Sequence, residues 1–158
     1  MLFRSPATVT DVQTWSGLTR LGEVVERLDL LHFKSEGGQA LYDISDAPRP
    51  DPDTPAPVRL VAPFDNILLS HVDRTRVISD EHRKRLFSSK NGLFPGTVLV
   101  DGFVAGTWEL VGKGESTSMR VHPYLRLKRS VLDAVTSEAN RLLECAFEVT
   151  DPEVTITA

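Results

Sequence analysis

The side chains most capable of chemistry are concentrated in one short segment, residues 63–85. Its potential site groups are Asp65, Asn66, Ser70, His71 and Asp73. A carboxylate near an imidazole tunes the basicity of the ring and can help it to activate a water molecule. Asp65, Asn66 and His71 are therefore the candidate catalytic groups. The same residue types also cap turns by bonding nearby backbone amides, and this structural interpretation remains open for all three.

The charge of the 158-residue chain is distributed unevenly, although the net charge is only −4. Residues 58–94 contain 7 Lys or Arg and 4 Asp or Glu, whereas residues 1–57 contain 5 and 9 and residues 95–158 contain 6 and 9. Phosphate neutralisation requires clustered cations, so the middle segment is the candidate site for binding a nucleic acid. The candidate DNA-binding residues are Arg74, Arg76, Arg83, Lys84 and Arg85, with Arg20, Arg27 and Lys34 as weaker contacts.

The cations at positions 83–85 have a second interpretation. Ser79 or Asp80 can cap a helix whose first turn is acidic and whose last turn is basic, as the helix dipole favours. A charge-complemented helix end and a phosphate-binding site are compatible, and both remain open.

Several functional classes lack their usual motifs. The sequence contains no phosphate-binding glycine loop, no His-Glu-x-x-His zinc pattern and no Gly-x-Ser-x-Gly nucleophile elbow. We expect no metal ion and no cofactor. The single Cys145 lies in an amphipathic helical pattern, which favours a buried thiol. With no apolar run of about eighteen residues and no secretory signal pattern, the chain is expected to be cytoplasmic and not embedded in a membrane.

Residues 1–44 have the pattern of a small helical module. Apolar residues at three-residue steps predict a helix between the cap Thr8 and Gly17. A second helix is predicted with a buried stripe of Leu21, Val24, Val25 and Leu28. The runs 30–33 and 40–44 flank a Gly-Gly pair, which indicates a hairpin. Helix, turn, helix, hairpin is the order of a winged helix whose first helix is missing.

Residues 45–57 carry five prolines at nearly alternate positions and predict a semi-rigid, extended linker. Residues 58–158 predict a strand-rich domain: a strand at 58–61, a turn at 92–96, a hairpin closed by Asp101-Gly102 and a third strand at 117–122. A helix of about twenty residues begins at Ser130, and an edge strand follows at 154–157. The fold class is therefore α+β, with a truncated winged helix followed by a small antiparallel β-barrel-like domain and a long C-terminal helix.

Four separated segments resemble one known family. They are residues 6–18 (PATVTDVQTWSGL), residues 46–51 (DAPRPD), residues 64–77 (FDNILLSHVDRTRV) and residues 100–108 (VDGFVAGTW). Together they are similar to the C-terminal part of the bacterial winged helix DNA-binding domain-containing family, which includes DNA glycosylases of the azinomycin-resistance type that unhook interstrand crosslinks. The resemblance implies a last winged-helix unit, a C-terminal β-barrel-like domain and tandem winged helices that curve around DNA.

The chain also departs from that family. Members with glycosylase activity carry a Gln-x-Gln or Gln-x-Asp motif in an N-terminal winged-helix unit, and neither Gln13-Thr14-Trp15 nor Gln39-Ala40-Leu41 fits. The leading hypothesis is thus an accessory fragment that binds the phosphate backbone of double-stranded DNA, lacks the catalytic motif and would partner the missing N-terminal winged-helix domains. The alternatives are a small hydrolase or ligand-binding domain using Asp65, Asn66 and His71, and a purely structural packing module.

Overall fold

The computed structural model describes residues 6–51, 53–88 and 94–157. These form two units that are not continuous in sequence. The first unit comprises Met1–Thr54 and Asn66–Arg74, and the second comprises Pro55–Asp65 and Thr75–Ala158. Positions 1–5 and the first two residues of the turn predicted at 92–96 lie outside the described residues.

Local signals define both ends of the first helix. Helix α1 spans Val9–Ser16, and the side chain of Thr8 caps it in a reciprocal capping box with Asp11. Gly17 ends the helix in the left-handed conformation, with a φ of 70°, which glycine adopts without a Cβ clash. The predicted caps at Thr8 and Gly17 are confirmed.

Helix α2 is short and depends on α1 for its start. It spans Gly22–Glu26 and has no side-chain cap of its own. Instead, the backbone N–H of Leu21 donates a hydrogen bond to Oε1 of Gln13 on α1, at 3.0 Å. Gln13, which does not fit the glycosylase motif, thus stabilises the turn between the two helices.

The predicted buried stripe of α2 is wrong for two of its four residues. Val25 is 5% exposed, but Val24 and Leu28 are each 51% exposed. A helix of five residues makes little more than one turn, so positions seven apart cannot line one helical face.

The hairpin of the first unit has the predicted position. Strands β1 (Leu31–Lys34) and β2 (Ala40–Asp43) pair antiparallel around a turn in which Gly38 has a φ of 79°. Asp43 is buried, and its Oδ2 lies 3.2 Å from Nη2 of Arg49. The guanidinium of Arg49 also lies over the ring of Phe33, at 5.7 Å. An arginine from the proline-rich segment therefore closes the end of the hairpin.

The remaining elements of the first unit are minor. Among the described residues between β2 and the next strand there is no helix or strand, in keeping with the proline content. Helix α3, Asn66–Leu69, is a single turn with a buried Leu68.

The second unit is built on a five-stranded sheet. Its strands are β3 (Arg59–Val61), β4 (Gly96–Val100), β5 (Phe103–Val111), β6 (Ser118–Pro123) and β7 (Val154–Ile156). They lie in sequence order, with β3 and β7 at the two edges. The sheet of the described residues is open, so the predicted barrel-like closure is wrong.

Strand β7 also corrects the prediction of an antiparallel sheet. The pairs β3–β4, β4–β5 and β5–β6 are antiparallel, whereas β6 and β7 are parallel. The reason is helix α5, Arg129–Phe147, which lies between them in the chain. A crossover helix returns the chain to the end of the sheet where β6 began, so the next strand runs in the same direction.

Glycines permit two special features of the central strands. At the β4–β5 hairpin, Asp101 and Gly102 both have positive φ angles, as a tight two-residue turn requires. Further along β5, the register shifts between Val98 and Leu99, so Ala105 is left unpaired beside Gly106. The β-bulge of β5 therefore lies directly beside Gly106.

The core of the second unit lies between the sheet and α5. Val135, Ala139 and Leu143 of the helix pack against sheet residues that include Trp108 and Met119. Cys145, however, is exposed, contrary to the expectation of a buried thiol. Two positions beyond Leu143 correspond to about 200° of helix rotation, which turns Cys145 away from the sheet.

Candidate nucleic-acid interface

Helix α4 carries the densest group of predicted DNA contacts. It spans Asp80–Leu86, and the hydroxyl of Ser79 accepts a hydrogen bond from the backbone N–H of His82 at 3.2 Å. Of the two predicted caps, Ser79 is therefore the one used. Acids occupy the first turn and bases the last, so the helix dipole stabilises both sets of charges.

The three cations of α4 have different surroundings. Nε of Arg83 lies 3.4 Å from Oδ1 of Asp80, in a solvent-exposed pair. Lys84 is exposed. The guanidinium of Arg85 lies 4.5 Å from the centroid of the Tyr124 ring, and its Nη1 donates to the Tyr124 carbonyl at 3.5 Å. Consecutive helical residues are about 100° apart, so the three side chains form a broad arc rather than one row.

Contacts with β5 hold α4 in place. Nδ1 of His82 lies 3.1 Å from the carbonyl oxygen of Val104. The N–H of the same Val104 donates to the carbonyl of Val77 at 2.8 Å, just before the helix. Leu86 is buried at the other end of α4. The cations therefore project from a helix that is fixed at both ends.

Burial raises the pKa of the Tyr124 hydroxyl, although the charge of Arg85 partly opposes the shift. Tyr124 is therefore neutral at physiological pH, and its ring offers Arg85 an uncharged aromatic face.

The weaker predicted contacts belong to the first unit. Arg20 is exposed in the turn between α1 and α2, with a φ of 59°. Arg27 is exposed and lies 3.9 Å from Glu23, and Lys34 is exposed at the end of β1. Arg74 donates from Nε to the carbonyl of His71 at 3.0 Å. Arg76 is exposed in the second unit.

The candidate catalytic groups are divided between the units. Asp65 belongs to the second unit, whereas Asn66 and His71 belong to the first. Asn66 is exposed at the first position of α3. A cavity of about 410 Å³ in the first unit is lined by Asp11, Tyr42 and Asp73, among others, but by neither Asn66 nor His71.

The group that His71 does approach is Asp11, which sequence reasoning treated only as part of a helix. Nδ1 of His71 lies 3.6 Å from Oδ2 of Asp11 and makes no hydrogen bond within the described residues. Asp11 itself is buried and accepts hydrogen bonds from the N–H and hydroxyl of Thr8 and from the N–H of Val72, each at 2.8 Å.

These contacts determine the ionisation of Asp11. Burial disfavours its charged form, but the hydrogen bonds from Val72 and Thr8, together with the nearby His71, hold the pKa of Asp11 below its usual value. A buried carboxylate stabilised in this way is a structural anchor. The capping pattern Thr8-x-x-Asp11 was the only sequence signal that could have identified it.

The structure adds cations that the sequence prediction omitted. Around the first turn of α5 there are three exposed cations, Arg126, Lys128 and Arg129. That turn has neither a side-chain cap nor an acidic residue.

Within the described part of the chain, no cluster of three or more metal-ligating side chains is found. The described helices include none long and apolar enough to cross a membrane.

Comparison with known protein families assigns the chain to one of them. Residues 3–145 match the family described as DNA glycosylase AlkZ-like. The chain belongs to the AlkZ-like DNA glycosylase family. This agrees with the resemblance derived from the four sequence segments and associates the chain with DNA repair.

A solved structure of the same family has the same fold. DNA glycosylase AlkZ from Streptomyces sahachiroi superimposes with a TM-score of 0.69 over 97% of this AlkZ-like chain, at 23% sequence identity. The chain spans only 42% of the length of that protein. Among curated proteins, none shows significant sequence similarity.

Proposed function

We propose that this AlkZ-like chain supplies a DNA-binding surface to a DNA glycosylase, rather than the groups that break the glycosidic bond. Helix α4 of the second unit holds the principal phosphate contacts, Arg83, Lys84 and Arg85. Arg74 and Arg76 are further phosphate contacts, and Arg20, Arg27 and Lys34 are weaker ones. The candidates Asp65, Asn66 and His71 take structural roles in this proposal.

The observation that carries the proposal is the cluster of cations in the last turn of α4. Membership of a DNA glycosylase family makes DNA the natural polyanion for this cluster. Three adjacent cations are presented by α4, and contacts with β5 hold that helix in place. Charges on a fixed helix lose little conformational freedom when they bind a polyanion, so more of the interaction energy contributes to affinity.

The first unit fits a partial winged helix in this proposal. It contains α1, α2 and the β1–β2 hairpin in the expected order. Its exposed Val24 and Leu28 would be covered by a preceding helix of a complete winged helix. The preceding domains of a longer protein would supply that helix and the Gln-x-Gln or Gln-x-Asp motif.

Binding of a short fluorescent duplex at about 50 and 200 mM salt tests the proposal. The five proposed phosphate contacts give a slope of log K against log salt of about −4.5, so affinity should fall by about 500-fold between the two conditions. Replacing Arg83, Lys84 and Arg85 together with Gln should lower affinity and make the slope shallower by about 2.7.

A triple variant of Arg59, Lys113 and Arg141 to Gln is the matched control, because it removes the same charge from exposed positions of the same unit outside α4. Equal losses in the two triple variants would show a response to net charge alone. That result, or negligible binding by the unaltered chain, would refute the assignment to α4.

A further inference from the structure

The second unit contains an aromatic groove that shares only Arg85 with the proposed phosphate contacts. Its volume is about 950 Å³, within the range of sites that bind small organic ligands. We use the name aromatic groove for the space lined by Phe64, Phe94, Trp108, Tyr124 and Phe147. These rings come from five separate segments, so the groove is a product of the tertiary fold.

Trp108 forms a fixed wall of the aromatic groove. Its indole Nε1–H donates a hydrogen bond to the carbonyl of Val61 on β3, at 3.0 Å. On the neighbouring strand, a Cβ atom at Gly96 would lie only 2.2 Å from Cε2 of the indole. The ring is therefore packed against a position that only glycine can occupy. Its orientation is set before any ligand arrives.

Phe64 forms an exposed wall of the aromatic groove, and its backbone conformation is unusual for a bulky residue. Its side chain is 55% exposed, and its φ of 59° lies in the left-handed region that a bulky residue rarely adopts. The centroid of its ring lies 6.0 Å from that of Phe94. Strained backbone is concentrated at ligand sites. A large apolar ring held in this way toward solvent indicates a binding surface.

The polar groups of the aromatic groove lie beside the rings. Nδ1 of His122 lies 2.8 Å from the hydroxyl oxygen of Thr157, which itself lies 3.1 Å from the carbonyl oxygen of Val121. Nε2 of His122 lies 3.4 Å from Oε1 of Glu109. His122 and Glu109 both line the groove. They offer hydrogen-bonding groups to the edge of a flat ligand.

Arg85 links the aromatic groove to the proposed phosphate site. It lines the groove and stacks on Tyr124, and it is also one of the three cations of α4. An occupant must therefore combine a flat, largely apolar part with an anionic part. A peptide segment or a lipid chain would use the rings but would not require adjacent Arg83, Lys84 and Arg85.

We propose that the aromatic groove binds an unstacked nucleobase of a DNA strand whose phosphates lie along α4. Base faces stack on aromatic side chains with little dependence on sequence, and the adjoining phosphates bind cations. The volume exceeds what one base needs, so a neighbouring sugar or a second base also fits. This inference rests on the proposed DNA-binding function and adds a contact to the bases themselves.

The test compares two single-stranded octamers with equal numbers of phosphates, one of thymidines and one of abasic residues. Stacking of a single base should make the oligothymidylate bind about tenfold more tightly. In a Trp15→Phe background, Trp108 is the only tryptophan of the chain. The thymidine octamer should quench its fluorescence, whereas the abasic octamer should not.

Substitutions test whether the preference for the thymidine octamer over the abasic octamer arises in the aromatic groove. Phe64→Ala and Phe147→Ala, on different segments, should each reduce the tenfold preference to less than threefold and leave affinity for the abasic octamer unchanged. Phe103→Ala is the matched control, because Phe103 is 51% exposed in the same unit and does not line the groove. It should retain the full preference.

The failures of the two proposals can be distinguished. Equal affinity for both octamers, with a steep salt dependence, would refute base binding and leave phosphate binding by α4 intact. If neither octamer binds, the duplex titration decides the proposed function, and free thymidine decides whether the groove binds a base. Quenching of Trp108 by thymidine would support base binding on its own, and its absence would overturn it.

Discussion

The carboxylate of Asp11 accepts a hydrogen bond from the backbone N–H of Val72, which lies 61 positions later in the chain, at 2.8 Å. The same side chain closes the capping box at the start of α1. One buried group therefore connects the two separated segments of the first unit.

Replacing Asp11 with Ala should destabilise the first unit by about 3 kcal/mol. The substitution removes a helix cap and leaves the N–H of Val72 without its acceptor. Urea unfolding followed by circular dichroism measures the change in free energy. Asp29→Ala removes an exposed acid of the same unit and should change stability by less than about 0.5 kcal/mol. Similar effects of the two substitutions would refute the anchoring role.

The stability of the first unit should also depend on pH through Asp11. Its pKa is lowered in the folded state, so the unfolded chain binds a proton more readily than the folded one does. The contribution to stability is therefore complete above the unfolded value and is lost as the pH falls from about 4. Urea midpoints between pH 6 and pH 3 should decline more steeply for the unaltered chain than for Asp11→Ala. Parallel declines would contradict this assignment.

Ser79→Ala should loosen the start of α4. Loss of the hydroxyl acceptor costs about 1 kcal/mol and frees the backbone N–H of His82. Hydrogen exchange of that amide, measured by nuclear magnetic resonance, should become faster. Ser79→Asp preserves an acceptor at the cap, so exchange should stay close to that of the unaltered chain. Unchanged protection in Ser79→Ala would show that the cap contributes little.

Gly106→Ala should destabilise the second unit by about 2 kcal/mol. A Cβ atom there would lie 2.6 Å from the carbonyl oxygen of His122 and 2.9 Å from Cα of Pro123, and backbone atoms cannot move away as a side chain can. Gly22→Ala is the matched control, because the position is helical and no heavy atom lies within 4 Å. That substitution should be neutral or stabilising. The midpoint of thermal unfolding is measured for both variants and for the unaltered chain. An unchanged midpoint for Gly106→Ala would overturn the prediction.

Features set by nearby residues could be predicted from the sequence. Thr8 and Gly17 mark the ends of α1, Asp101 and Gly102 form the hairpin turn, and Ser79 caps α4. In each case the signal and the structure it produces lie within about four residues of one another. Four short segments also indicated the family that the full match over residues 3–145 then established.

Features that depend on distant contacts could not be predicted in the same way. The parallel direction of β7 follows from the path of α5 across the sheet, and the exposure of Cys145 from the side of that helix that meets the sheet. The contact between Asp11 and Val72 and the five rings of the aromatic groove join segments far apart in the chain. Periodicity and turn residues determined which elements form, because those preferences act over one or two turns of backbone. Only packing determined which side chains meet, because burial selects among many long-range arrangements that the local signals allow.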